Sequence, residues 1–180
     1  MMPVMRRVAL AALVCLAGCS TGDKLDKPPP SAPRQLTITS PDFPSGGAIP
    51  VRFSCDGAKD RPTLRFGGVP SDAAELALIV VDPDAGRFVH WTVYSLQPST
   101  REIASKRLPA GARQGENSEG KTGWTPPCPP KGSTHRYEFH LYWLTRKSGL
   151  SSGATPGKVA EAIRIHAGGS GLLVGRYTRR

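Results

Sequence analysis

From Leu36 to the end of the chain, turn-forming residues divide the sequence into short apolar segments. The longest of them, Leu76–Val81, is a continuous apolar run, which predicts a strand that is covered on both faces. Leu36–Ser40 and Ile49–Ser54 alternate apolar and polar residues, which is typical of strands with one buried face. Further strands are predicted at His90–Leu96, Tyr137–Leu144 and Leu172–Val174. The 20 glycines and 18 prolines in 180 residues are too few to indicate a fully disordered chain.

Only one segment has the periodicity of a helix. Thr155 is suited to the N-cap, Pro156 to the first helical position, and Gly168–Gly169 to the end. Apolar residues and one histidine between them repeat every three to four residues, which gives one buried stripe: Val159, Ala162, Ile163 and His166. The predicted fold is therefore mostly β, an antiparallel β-sandwich over residues 36–180 with a single helix in its C-terminal half.

The N-terminus has the pattern of an export signal. Arg6 and Arg7 precede eleven uncharged residues, Val8–Gly18, whose helical length of about 16 Å is half of a bilayer core. The end of this run, Leu16-Ala17-Gly18-Cys19, resembles the lipobox of bacterial lipoproteins, in which the chain is cut before a cysteine that carries the lipid. The alternative is that Cys19 is incidental and an ordinary signal peptide ends nearby.

The lipoprotein interpretation predicts three regions and a location. Residues 1–18 would be the signal peptide, residues 19–35 a lipidated cysteine with a Pro-rich tether that has almost nothing to bury, and residues 36–180 the folded domain. Ser20, rather than Asp, after the cysteine resembles lipoproteins of the outer membrane. We therefore expect a lipid-anchored protein of the bacterial cell envelope, in the outer membrane and facing the periplasm.

The chain is basic, with a formal net charge of +10. This charge favours anionic partners, including lipid headgroups. The basic residues are scattered rather than clustered, and export would separate the chain from the genome, so we expect no nucleic-acid partner. Two cysteines remain in the folded domain: Cys55 and Cys128. In an oxidising compartment they either form one disulfide or stay as two free buried thiols.

Chemistry-bearing residues gather at the ends of the predicted strands. The apolar run ends in Asp82-Pro83-Asp84. This motif is either a carboxylate held in a fixed position by the proline that follows it, or an ordinary turn. A two-residue period places His90 on one face with Thr92 and Tyr94, and His135 on one face with Tyr137 and Phe139. His140 falls on the opposite face of the strand from His135, so the two side chains are not placed to bind one metal ion together. We expect neither a metal site nor a cofactor.

The order of these motifs resembles a known family. Asp82-Pro83-Asp84-Ala85, Val89-His90-Trp91, Pro127–Gly132 and His135-Arg136-Tyr137 are similar to motifs of phosphatidylethanolamine-binding proteins, in particular of the bacterial branch called Raf-kinase-inhibitor-like. The resemblance implies a β-sandwich with a small anion-binding pocket. It also implies the residues that line this pocket: Asp82, Phe88, His90, Pro129, Pro130, His135 and Tyr137.

The resemblance favours a non-catalytic binding domain for a phosphate-bearing or other small anionic headgroup. A second hypothesis is an inhibitor or regulator of an extracytoplasmic protein, as kinase and protease inhibitors of the family suggest; its partner would be another envelope protein. A hydrolase is less favoured, because no nucleophile stands beside a base in a recognisable motif and no catalytic residue is assigned. The expected partners are thus a small anionic ligand or phospholipid headgroup and, through the lipid anchor, a membrane.

Overall fold

A computed structural model describes residues 24–180, so the predicted signal peptide and Cys19 lie outside the described residues. Eight strands and one helix follow one another in this part of the chain: β1 (Thr37–Thr39), β2 (Leu64–Gly67), β3 (Glu75–Asp82), β4 (Phe88–Leu96), β5 (Glu102–Ile103), β6 (Arg113–Gln114), β7 (Thr134–Leu144), α1 (Pro156–His166) and β8 (Ala167–Thr178). None of the helices in the described range is long and apolar enough to cross a membrane.

The strands form two antiparallel sheets. Three short strands pair in the order β1-β2-β5, and five pair in the order β6-β4-β3-β7-β8. One face of the larger sheet, here called the sandwich face, packs against the smaller sheet through residues such as Leu78, Val80 and Phe139. The other, the helix face, packs against α1 through Ile79 and Val81. The predicted β-sandwich with one helix is confirmed.

Strand β3 lies at the centre of the larger sheet, and all eight of its residues are buried. This confirms the prediction that the apolar run is covered on both faces. The prediction of a strand at Ile49–Ser54 is wrong, because Val51–Phe53 forms a 3-10 turn. Pro50 has no N–H to donate to a ladder, and its carbonyl instead accepts from the Phe53 N–H at 3.0 Å.

The segment predicted to be a Pro-rich tether, residues 19–35, packs against the domain from Lys24 onward. Leu25 is buried in the core beneath α1, and Pro30 is buried as well. The Tyr142 hydroxyl donates to the Pro30 carbonyl at 2.8 Å, and the Ser170 N–H donates to the Pro33 carbonyl at 2.7 Å. Composition alone suggested almost nothing to bury, but the backbone of this proline-rich segment has free carbonyls to which buried donors of the domain bond.

The predicted helix is confirmed, but the glycines after it do not cap it. The Thr155 hydroxyl accepts from the Lys158 N–H, and α1 ends at His166, where the Ala167 N–H bonds to the Ile163 carbonyl. Gly168 and Gly169 already belong to β8, at an irregularity in the pairing with β7. A Cβ at Gly168 would lie 2.1 Å from the Trp143 ring, so this position needs glycine for space.

We therefore expect Gly168→Ala to destabilise the protein by about 2 kcal/mol, because the Trp143 ring or the strand must move. Gly157→Ala is the matched control: it lies in α1 with nothing within 4 Å of the added Cβ, and should raise stability by up to about 1 kcal/mol. Urea unfolding of the two variants measures both effects. Equal free energies of unfolding for the two variants would show that the Trp143 ring tolerates a side chain at position 168.

Candidate functional site

The predicted site residues lie where three neighbouring strands meet at one end of the larger sheet. Strand β3 ends at Asp82, and its antiparallel neighbours β4 and β7 begin there. In the register, Asp82 pairs with Phe88, and Val81 pairs with Glu138. Side chains far apart in the sequence are thereby brought to the same end of the sheet.

Asp82 has two structural partners. Its Oδ1 accepts from the Ala85 N–H at 2.9 Å, which caps the 3-10 turn Pro83–Ala85, and its Oδ2 lies 2.7 Å from Nδ1 of His135. The Asp82 side chain is only 3% exposed, and the His135 side chain is 15% exposed. Both alternatives for this motif are therefore correct: Asp82 begins a turn, and its carboxylate is held in a fixed position. Because the carboxylate accepts from Nδ1–H, the Nε2 atom of His135 is left for a ligand.

His90 reaches this site through a β-bulge. Val81 pairs with Val89 and Val80 pairs with Trp91, so His90 is an extra residue in β4. The predicted shared face of His90 with Thr92 and Tyr94 is wrong for that reason, because the bulge interrupts the two-residue period. The His90 ring lies on the sandwich face, 5.1 Å between centroids from the Tyr137 ring. The predicted common face of His135, Tyr137 and Phe139 agrees with the regular pairing of β7.

A backbone carbonyl fixes the orientation of the His90 ring. Its Nδ1 lies 2.8 Å from the Thr125 carbonyl oxygen, so Nδ1 carries the proton and donates. His90 is 5% exposed, and this burial lowers its pKa below the usual range for histidine. The ring is therefore neutral at neutral pH, with Nε2 as its free nitrogen.

Tyr137 supplies a buried hydroxyl that has no hydrogen-bond partner among the described residues. Burial, followed by the nearby Asp82 carboxylate, raises the pKa of this phenol above its usual range. The group therefore stays protonated and is a neutral O–H donor. A buried donor without a partner is costly in a folded protein, which makes it a candidate for ligand contact.

Trp124 was missed by sequence reasoning. Its Nε1–H is also buried without a partner, and its ring lies 6.4 Å from His90 and 5.9 Å from Trp91. Buried Asn117 holds this loop, since its Nδ2 donates to the Gly123 carbonyl at 3.1 Å and to the Thr125 hydroxyl at 2.7 Å. A tryptophan within a Gly- and Pro-rich loop was the available signal, because such a large ring seldom lies in a loop without a packing or binding role.

The remaining predicted residues are placed less directly. The Phe88 ring lies 4.8 Å from the His90 ring and therefore borders the site. Pro129 is buried and Pro130 exposed in the loop before β7, where the Pro130 carbonyl accepts from the Ser133 N–H. Their contact with a ligand stays a prediction. Cys55 and Cys128 form a disulfide, which ties this loop to the segment after the first 3-10 turn.

Arg136 points away from the histidines, because it follows His135 in β7 and successive residues of a strand lie on opposite faces. Its guanidinium forms two hydrogen bonds with Asp84, from Nε at 3.2 Å and from Nη2 at 2.9 Å. This pairing lowers the pKa of the Asp84 carboxyl and raises that of the Arg136 guanidinium. The pair fixes the turn after Asp82 against the start of β7.

Two observations concern metal ions and cavities near the site. Among residues 24–180, no three His, Cys, Asp or Glu side chains are arranged to bind a metal ion. Five surface cavities of about 200 to 310 Å³ lie elsewhere, and none of the five is lined by Asp82, His90 or His135. The cluster brings two imidazoles, a phenol and an indole together near the end of β3 at Asp82.

Comparisons with known proteins identify the family and the fold of the chain. Residues 39–178 match the model of the family described as phosphatidylethanolamine-binding protein. The chain is 42% identical over 186 residues to "Putative lipoprotein LppC" of Mycobacterium tuberculosis, covering 93% of this chain and 92% of that protein. It is 41% identical to a UPF0098 protein of Methanothermobacter thermautotrophicus, over 76% of this chain and 95% of that one.

Solved structures show the same fold. The "Putative PhosphatidylEthanolamine-Binding Protein (PEBP) Homolog CT736" of Chlamydia trachomatis superposes with a TM-score of 0.76 at 36% identity, over 82% of this chain and 99% of that one. YbcL of Escherichia coli superposes with a TM-score of 0.75 at 25% identity, over 81% and 99% of the two chains. The family match over most of the chain and these relatives lead to one conclusion: this chain belongs to the phosphatidylethanolamine-binding protein family.

Proposed function

We propose that the protein binds a small anionic group, such as the phosphate of a phospholipid headgroup, at the cluster of Asp82, His90, His135, Tyr137 and Trp124. The observation that carries this proposal is the convergence of the two histidines around a buried carboxylate, next to two buried donors that lack partners. These donors are the Tyr137 O–H and the Trp124 Nε1–H. An anion that accepts from them would satisfy groups that the fold leaves unpaired.

The two histidines contribute differently to this proposed site. When His135 is protonated, Nδ1–H donates to Asp82 and Nε2–H is available to an anion, in a charge-assisted hydrogen bond. Neutral His90 already uses its N–H on the Thr125 carbonyl, so its Nε2 accepts a hydrogen bond from the ligand or from a bound water. A headgroup that carries both a phosphate and a donor fits this combination better than a bare anion.

We propose binding rather than hydrolysis. The raised pKa of Tyr137 keeps its hydroxyl protonated, so this group serves as a donor rather than as a nucleophile. The sulfurs of Cys55 and Cys128 are joined to each other. The chemistry that the cluster supports is therefore recognition of charge and shape.

We further propose that the protein is a lipoprotein of the cell envelope, anchored through Cys19 in the outer membrane and facing the periplasm. This part of the proposal rests on the sequence before Cys19 and on the name of the Mycobacterium tuberculosis relative, "Putative lipoprotein LppC". A lipid anchor and a headgroup site on one chain would place the site close to its ligand.

Histidine NMR provides the test of binding, because the chain has four histidines and only two lie in the site. Titration with inorganic phosphate, and then with glycerophosphoethanolamine, should shift the ring signals of His90 and His135. His140, which pairs with Glu138 on the helix face, and His166 in α1 are internal references and should stay unchanged. Equal shifts at all four histidines, or none at any, would contradict the proposed site.

A further inference from the structure

Residues 24–35, here called the strap, connect the N-terminal region to the same turn that follows Asp82. The Lys24 Nζ donates to the Ala85 carbonyl at 2.9 Å, and the Leu25 N–H donates to the Arg87 carbonyl at 3.3 Å. Buried Leu25 packs in the core beneath α1. The beginning of the strap is therefore fixed at the site end of the larger sheet.

The side chain of Arg87 also binds the strap. Its Nε donates to the Leu25 carbonyl at 2.7 Å, and its Nη2 donates to the Asp26 carbonyl at 2.9 Å. The Arg87 backbone has a φ of 62°, a left-handed conformation that is uncommon for a residue with a side chain. The two side-chain hydrogen bonds to the strap offset the cost of this conformation.

The position of Lys24 limits how far the domain can lie from Cys19. Lys24 is five positions after Cys19 in the sequence, and a fully extended chain spans at most about 3.6 Å per residue, hence about 18 Å in all. Ala85, which Lys24 contacts, is three residues after Asp82. A lipid on Cys19 would therefore keep this end of the sheet within roughly 20 Å of the bilayer surface.

We propose that the strap turns the site end of the larger sheet toward the bilayer that holds Cys19, so that the site takes a phospholipid headgroup from that same membrane. This inference rests on the proposed function and on lipidation of Cys19. The occupant of the surface around the 83–87 turn is then the headgroup layer itself. The opposite end of the sheet, where β3 begins at Glu75, points away from the membrane.

The two ends are far enough apart for a depth measurement. The eight residues of β3 extend over about 23 Å at the usual rise of a strand. Glu119 is exposed at the site end, in a loop whose Ser118 N–H donates to the Val89 carbonyl. Lys147 is exposed at the far end, next to Ser148, whose N–H donates to Glu75.

The experiment uses the full, lipidated protein in vesicles of phosphatidylethanolamine and phosphatidylglycerol that contain a nitroxide-headgroup lipid. A fluorophore is attached at Glu119→Cys or at Lys147→Cys. Among residues 24–180 the introduced thiol is the only free one, because Cys55 and Cys128 are bonded to each other. In the lipidated protein Cys19 would carry the lipid, and Cys15 would leave with the signal peptide. We expect the nitroxide to quench the label at position 119 and to leave the label at position 147 unquenched. Equal quenching, or stronger quenching at position 147, overturns the proposal.

An insertion provides the matched control. About ten Gly and Ser residues placed between Asp23 and Lys24 lengthen the reach of the anchor but leave the strap contacts unchanged. The quenching at position 119 should then fall toward that at position 147, whereas a persistent difference would show that the short anchor does not set the orientation. A mass of the purified protein without acyl groups on Cys19 would also overturn the proposal.

The headgroup titration separates failure of this inference from failure of the proposed function. Binding of glycerophosphoethanolamine, seen at His90 and His135, does not depend on the anchor and should be identical with and without the insertion. Stronger quenching at position 119 than at position 147, without any histidine shift, would support the orientation and contradict the binding site. Histidine shifts with equal quenching would support the site and contradict the orientation.

Discussion

Replacing His135 with alanine is expected to lower the affinity for glycerophosphoethanolamine at least about tenfold, the cost of losing one charge-assisted hydrogen bond of 1.5 kcal/mol or more. The reason is geometric: Asp82 holds Nδ1 at 2.7 Å, which leaves Nε2 as the one nitrogen of this ring that a ligand can use. Isothermal titration calorimetry of the variant and the unchanged protein measures the difference. Unchanged affinity would remove His135 from the site.

His140→Ala is the matched control for this prediction. Both histidines lie on β7, both are mostly buried, and each pairs with a carboxylate: His135 with Asp82 and His140 with Glu138 at 3.0 Å. They differ in the face of the sheet, since His140 lies on the helix face next to Tyr142. Headgroup binding should survive His140→Ala. An equal loss in both variants would indicate a general effect of the chain's positive charge or of reduced stability.

The sequence allowed the centre of the fold to be predicted because the strongest local signals were also the correct ones. The apolar run before Asp82 needs burial on both faces, and only the middle of a covered sheet provides this. The regular pairing of β7 kept His135 and Tyr137 on one face, as a two-residue period requires. Local pattern and tertiary structure agree wherever a strand is regular.

The failures have a common physical cause, which is that contacts distant in sequence decide the outcome. The bulge at His90 depends on pairing with β3 and leaves no mark on the period of β4 itself. The strap is held by Arg87, Tyr142 and Ser170, partners that its own composition does not reveal. Trp124 joins the site through a loop that Asn117 organises, and neither residue belongs to a regular element.

The disulfide between Cys55 and Cys128 is expected to contribute about 4 kcal/mol to the free energy of unfolding, because it closes a loop with a sequence separation of 73 residues in the unfolded chain. That is a large share of the 5 to 15 kcal/mol typical of folded domains. The bond also adds to local structure: the Cys55 N–H donates to the Pro127 carbonyl at 3.0 Å, and neighbouring Asp56 accepts from the Tyr177 hydroxyl at 2.9 Å.

Urea unfolding of the Cys55→Ser, Cys128→Ser double variant measures this contribution. The unchanged protein, unfolded in a reducing buffer, is the matched control, since it lacks the bond but retains both sulfur atoms. The double variant and the reduced protein should lose about the same free energy of unfolding, because most of the stabilisation by the disulfide arises from restriction of the unfolded chain rather than from packing of the sulfurs. Since Cys128 lies beside Pro129, the reduced protein should also bind glycerophosphoethanolamine more weakly if this loop forms the rim of the site. A loss of stability below about 1 kcal/mol in both would mean that the unfolded chain gains little freedom when the bond is absent.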